Sequence, residues 1–150
     1  MAPNILLLCT DQQRYDVLGA AGNPYIDTPA IDGLAAAGVR FDRCYTPSPV
    51  CSPARASLLT GLYPHAHGLW ANGVTLPPGQ TMLGRVLADA GYDCGLVGKL
   101  HLGACFGGRD EPRHDDGFRF FSWAHDPSHS SPGNAYHRWL QKEFPDLWQE

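Results

Sequence analysis

Asn4-Ile5-Leu6-Leu7-Leu8-Cys9-Thr10 runs directly into Asp11-Gln12-Gln13-Arg14, and the reading of that boundary decides the fold class. A continuous apolar run, unlike an alternating one, marks a strand buried on both faces, the strand type of a parallel sheet covered by helices. It predicts a β-strand over 4–10 with a polar exit at Asp11. Next along the chain, Thr28-Pro29 offers a cap and a first-turn proline, Ile31, Leu34 and Ala35 share one helical face, and Gly38 stops the helix. Val39, Phe41 and Tyr45 are interleaved with Arg40, Asp42 and Arg43, which predicts a strand over 39–45. Thr46-Pro47-Ser48-Pro49 then breaks regular structure and delivers the chain to Cys51.

A helix is predicted from Pro53 through Leu59, closed by Gly61 and Pro64, so that Cys51 stands just ahead of its N-terminus. From Thr81, the positions Leu83, Val86, Leu87 and Ala90 recur at helical spacing up to Gly91, and Tyr92–Val97 reads as a strand. The order strand, helix, strand, helix, helix, strand predicts an α/β domain with a largely parallel central sheet. Beyond Gly103, Gly107-Gly108, Pro112, Pro127 and Pro132 predict a surface excursion over 104–133, followed by a helix over 134–144.

Composition narrows the possible functions. The 150 residues carry 11 Lys and Arg against 15 Asp and Glu, a net charge of −4, which removes the electrostatic case for nucleic acid or an anionic membrane as partner. An apolar share of 43% suits one globular domain or part of one. The Ile5–Cys9 run is too short to span a membrane and lacks the basic leader and cleavage site of a signal peptide, so a cytoplasmic location is expected. Five cysteines at irregular spacing form neither a disulfide framework nor a CxxC zinc pattern. Reduced thiols are expected, read as small buried hydrophobes except at Cys51.

In an open α/β sheet, ligands bind outside the C-terminal ends of the strands. Asp11 follows the first strand, and Lys99 and His101 follow a later one, two residues apart and thus on one side if the backbone stays extended. The helix after Cys51 would present backbone N–H groups and the positive end of its dipole. Arg55 in its first turn is unfavourable there unless an anion neutralises it. The pattern describes a place for an anion and a cation.

Cys51-Ser52-Pro53-Ala54-Arg55, followed by Ala56-Ser57-Leu58-Leu59-Thr60-Gly61, resembles the C-x-P-x-R signature of the sulfatase family. Asn4-Ile5-Leu6-Leu7 leading into Asp11-Gln12 is similar to the family's first metal-binding strand, and Gly98-Lys99-Leu100-His101-Leu102-Gly103 to its G-K-x-H-x-G segment. The resemblance implies an alkaline-phosphatase-like α/β sandwich, its largely parallel central sheet flanked by helices, of which residues 1–150 are the N-terminal part of the catalytic domain. It implies oxidation of Cys51 to formylglycine, whose aldehyde hydrate attacks the sulfur of a sulfate monoester and then expels sulfate by regenerating the aldehyde. By the same resemblance Asp11, Gln12 and the modified Cys51 bind a divalent cation, calcium foremost, with manganese and magnesium as alternatives. Arg55 orients the formylglycine, Lys99 contacts the sulfate oxygens, and His101 assists breakdown of the diol. The implied partners are a small-molecule sulfate ester and a formylglycine-generating enzyme.

Asp11-Gln12 stands where many members of the family have two aspartates, and resembles the subgroup that includes choline sulfatases and phosphonate monoester hydrolases. Phosphonate or phosphate monoester hydrolysis with the same nucleophile is therefore the alternative. Members of the family run to several hundred residues and carry further metal ligands later in the domain. The resemblance thus implies a half-built metal site and little turnover for these 150 residues alone, and leaves a non-catalytic anion-binding remnant as a third reading. Among the other candidates, His65 and His67 are second-rank ligands or substrate contacts, and His114-Asp115-Asp116 reads as a hydrated loop cluster. Trp123, Trp139 and Trp148 read as core or edge packing.

Overall fold

The computed structural model describes residues 2–148, with side chains to 147. The chain divides into two compact units, Met1–Cys44 and Tyr45–Glu150.

In the first unit the run over 4–10 is not a strand. Ile5, Leu6, Leu7 and Leu8 are 57–82% exposed. A strand exists through the ladder it makes with a neighbour, and no described residue pairs with this run. The expected strand over 39–45 is absent for the same reason, with Val39 and Phe41 exposed. The helix foreseen after Thr28 is present as α1, Pro29–Ala37. Thr28 does not cap it: its Oγ1 accepts from the Gly19 amide at 2.8 Å and donates to Asp32 Oδ1 at 2.9 Å. Asp32 Oδ1 also accepts from the Ala20 amide at 2.7 Å, so the start of α1 is tied to the 3-10 turn Gly19–Ala21.

The second unit contains α2 (Cys51–Thr60), α3 (Pro64–His67), α4 (Leu83–Asp89), β1 (Gly95–Gly98), β2 (Phe120–Trp123) and α5 (Ala135–Glu143). The strands pair in parallel, from Gly95 opposite Phe120 to Gly98 opposite Trp123. This is the α/β class with parallel pairing read from the sequence. β2, however, lies within the stretch expected to be a surface excursion: Phe120-Phe121-Ser122-Trp123 is too short to announce itself and becomes a strand by pairing with β1. The core gathers Ala56 of α2, Trp123 of β2 and the loop residues Leu69, Leu76, Met82, Leu100, Leu102 and Cys105. Leu100 and Leu102, at 1% and 0% exposure, clamp the chain on both sides of His101, and the Leu102 carbonyl accepts from the Leu76 amide at 2.7 Å. Asn134 caps α5 by accepting from the Tyr136 amide, while its Nδ2 holds the carbonyls of Asp126 and His129, each at 2.9 Å. No described helix is long and apolar enough to cross a membrane.

Candidate active site

Cys51 is the first residue of α2 rather than a residue ahead of it. Val50 at the N-cap offers no side-chain bond, and Asn72 takes over that role from a distant loop. Its Oδ1 accepts from the Ser52 amide at 3.0 Å and from the Cys51 thiol at 3.3 Å. Pro53 has no N–H, and the Ala54 amide bonds to the Val50 carbonyl at 3.1 Å. The row of unpaired amides expected at this end of the helix is therefore largely taken up, and what α2 offers an anion there is its dipole and Arg55. Sequence reasoning passed over Asn72, because an Asn-Gly pair in a loop reads only as a turn.

Arg55 lies one turn along α2, and its Nη1 donates to the Lys99 carbonyl at 2.7 Å. This bond ties α2, one turn after Cys51, to the exit of β1, so that Arg55 and the Lys99–His101 segment are in direct contact. The segment is not extended at His101, which adopts φ +61°, so the two-residue alternation expected for Lys99 and His101 does not hold. Among the described residues only Gln12 and His101 are non-glycines with positive φ. Both are candidates from the sequence, and strained backbone concentrates at functional positions. Gln12 and its neighbour Asp11 are exposed, in the first unit, at the end of the apolar run.

His101 is 8% exposed and forms one wall of a cleft of about 500 Å³, shared with Asn72, Phe106, His125, Asp126 and His129. The His125 ring meets the His101 ring edge-on, with centroids 4.5 Å apart. Burial and then the Lys99 ammonium push the His125 imidazole below its ordinary pKa, so at neutral pH it is uncharged. The Cys105 thiol, pushed up by burial and then by the Glu111 charge, stays protonated and lies 3.8 Å from His125 Nδ1. The cleft thus lies in the positive field of Lys99, which acts on the His125 ring. His125 and His129 were not singled out in the sequence because they sit in the Pro-rich stretch read as an excursion.

Other candidates fall away. His67 is fully buried: its Nδ1 accepts from the Leu69 amide at 3.1 Å, which leaves the proton on Nε2, 3.0 Å from Ser57 Oγ. That tautomer donates to the serine and cannot take its proton, so this Ser-His pair is structural. His65 stacks on Tyr63. Asp116 is not a hydrated loop carboxylate: at 1% exposure it accepts two bonds from Arg113 and one from the Phe118 amide. Trp123 is buried, Trp139 is half exposed against Phe144, and the Trp148 side chain lies outside the described residues. All five cysteines are free; Cys9 and Cys44 are exposed instead of buried. Among the described residues no group of three or more His, Cys, Asp or Glu is arranged to hold a metal ion.

The chain is 41% identical over 132 residues to arylsulfatase A of Bos taurus, covering 83% of this chain and 26% of the relative. It is 44% identical over 100 residues to an uncharacterized sulfatase of Escherichia coli (strain K12), covering 67% and 20%. The crystal structure of a phosphonate monoester hydrolase of Agrobacterium radiobacter superposes with a TM-score of 0.73 at 33% identity, over 94% of this chain and 29% of that one. The chain thus spans about a fifth to a quarter of the length of the curated relatives it matches. The family model described as Sulfatase matches residues 3–142, a span that contains Asp11, Cys51, Arg55, Asn72, Lys99 and His101, and on that match the chain belongs to the sulfatase family.

Proposed function

We propose that the protein carrying this chain hydrolyses sulfate monoesters, with Cys51, converted to formylglycine, as the nucleophile. The observation that carries the reading is the joint between α2 and the β1 exit. The Arg55-to-Lys99 bond ties the Lys99–His101 backbone to the first turns of the helix that Cys51 begins, so that segments bearing Arg55, Lys99 and His101 meet there. Cations beside a positive helix end are stable together when an anion neutralises them, and the sulfate group of a monoester, with its negative charge spread over three oxygens, does so.

Arg55 holds and orients the formylglycine, and Lys99 contacts the sulfate oxygens and stabilises the charge that moves onto them during sulfur transfer. Asn72 Oδ1 fixes the side chain at position 51 against rotation while the ester enters. His101 takes up the proton released when sulfate is expelled. The alcohol part of the ester lies in the cleft walled by Asn72, His101 and His125, next to the nucleophile. Asp11 and Gln12 supply hard oxygen donors for a divalent cation, and the left-handed backbone at Gln12 is the kind of fixed conformation a ligand pair needs. Calcium is the first choice, with manganese and magnesium as the other hard ions. A divalent cation held there would supply Lewis acidity, favouring ionisation of the nucleophilic hydroxyl and offsetting charge on the sulfate.

Ser52 and Pro53 are buried in α2, so a formylglycine-generating enzyme meets the Cys51 segment before this unit folds. The structural likeness to a phosphonate monoester hydrolase and the Asp11-Gln12 pair support a second reading, hydrolysis of phosphonate or phosphate monoesters by the same residue. Peptide mass spectrometry across Cys51, on the complete gene product made with a formylglycine-generating system, tests the nucleophile: an aldehyde peptide is expected, and an alkylatable thiol overturns it. Matched aryl sulfate and aryl phosphonate esters then decide the reaction, with a higher kcat/KM for the sulfate expected.

A further inference from the structure

Glu111 is 7% exposed, and its carboxylate collects four N–H donors. Oε2 accepts from the His101 amide at 2.9 Å and from the Trp123 indole at 2.7 Å. Oε1 accepts from the amides of Leu102 and Gly103, the latter at 2.9 Å. Three consecutive backbone amides thus converge on one side chain downstream, and the indole fastens the same carboxylate to the end of β2.

His101, three residues past the end of β1, turns left-handed, at φ +61°. An L side chain there is unfavourable and persists when its surroundings over-determine it. The Glu111 carboxylate does so by capturing the N–H of the turned residue and of the two that follow. Charged acceptors make the stronger hydrogen bonds, and a buried charge with four donors is compensated for its lost water. We propose that Glu111 is a positioning residue for the reaction: it sets the backbone turn that carries the His101 ring, and acts on the chemistry through that ring. The proposal rests on the reading of His101 as part of the reacting site.

The test uses the complete gene product, with formylglycine content measured in every variant. Glu111→Gln keeps the size of the side chain but turns an NH₂ group toward an N–H donor. It is expected to lower kcat for 4-nitrophenyl sulfate about 10- to 100-fold with KM changed less than about 3-fold, since small misplacements near the chemistry cost this much. The limb of the kcat pH profile that His101 governs should move, and amide exchange over 100–103 should quicken about 10-fold or more while α2 and α5 stay unchanged. Trp123→Phe removes one donor and leaves the three amide bonds, so kcat within about 3-fold of the parent is expected. A folded Glu111→Gln protein with kcat within about 2-fold of the parent, or with unchanged exchange over 100–103, overturns the proposal. Should Glu111→Gln not fold, Glu111→Asp carries the same expectations, because the shorter side chain keeps the charge but cannot reach all four donors. If the parent protein turns over neither a sulfate nor a phosphonate ester, the enzyme reading fails separately, and exchange over 100–103 still decides whether Glu111 sets the turn.

Discussion

At the scale of single residues, the Cys51 side chain is held by Asn72 and the charge of Arg55 is held by the Lys99 carbonyl. Cys51→Ala keeps the β-carbon but removes the thiol through which that carbon is oxidised to the aldehyde of formylglycine. Turnover of an aryl sulfate by the complete gene product should therefore fall at least about 10³-fold while thermal stability is unchanged, as single-turnover assays and calorimetry would show. Arg55→Lys keeps the charge but loses the planar fork that donates to Lys99. A fall in kcat/KM of about 10- to 100-fold is expected, and a variant matching the parent would deny that this bond organises the site. Both residues were legible in the sequence, because C-x-P-x-R is a local pattern. Asn72 and Glu111 were not, because their roles exist only through contacts 20 residues away for Asn72 with Ser52 and 10 for Glu111 with His101.

At the scale of elements, α4 and the loop before β2 meet through two glycines. A Cβ on Gly84 would strike the Asp116 carbonyl, and one on Gly117, where φ is +80°, would strike the backbone of Gly84 and Arg85. Gly61 also has positive φ, at +70°, as the C-cap of α2, but a Cβ there meets nothing within 4 Å. Gly117→Ala should therefore cost more than about 2 kcal/mol, from clash and strain together, whereas Gly61→Ala should cost about 1 kcal/mol from strain alone. Denaturant titrations that rank the two in the opposite order would refute the close approach of α4 to this loop. The joint between α2 and α3 makes a prediction about pH. Burial lowers the pKa of His67 first of all, and its Nδ1 must stay bare to accept the Leu69 amide. Below pH 6.5 the unfolded chain takes up a proton that folded His67 refuses, and His125, also lowered, behaves alike. Stability should thus fall as pH drops from 6.5 toward 5, before the carboxylates titrate; melting temperatures flat across that window would contradict it. The same joint shows what the sequence could reveal about the elements. Helices α1, α2, α4 and α5 were foreseen within a residue or two because caps, stops and the 3.6-residue period are local. β2 was missed and the strands over 4–10 and 39–45 do not form, because strand identity depends on a partner at any distance along the chain.

At the scale of the whole molecule, what stands out is the apolar surface left open in the first unit. Ile5, Leu6, Leu7 and Leu8 are 57–82% exposed in sequence, in a pattern that reads as a strand buried on both faces. Water-exposed runs of this kind are rare in finished domains, and the chain spans about a fifth to a quarter of the length of the relatives it matches. The pattern and the exposure agree if the run is a strand of a sheet whose other strands lie outside these 150 residues. Two results are expected. Expressed alone, the 150 residues should bind a hydrophobic dye, self-associate in light scattering and show no turnover. In the complete gene product, amides 5–8 should exchange slowly, and Leu7→Lys should lower stability by roughly 2 kcal/mol or more, the cost of a charge in a buried strand. Fast exchange at 5–8 in the complete protein, with Leu7→Lys neutral, would mean that the run is surface, and the parallel sheet would then begin at β1 rather than at the segment that ends in Asp11.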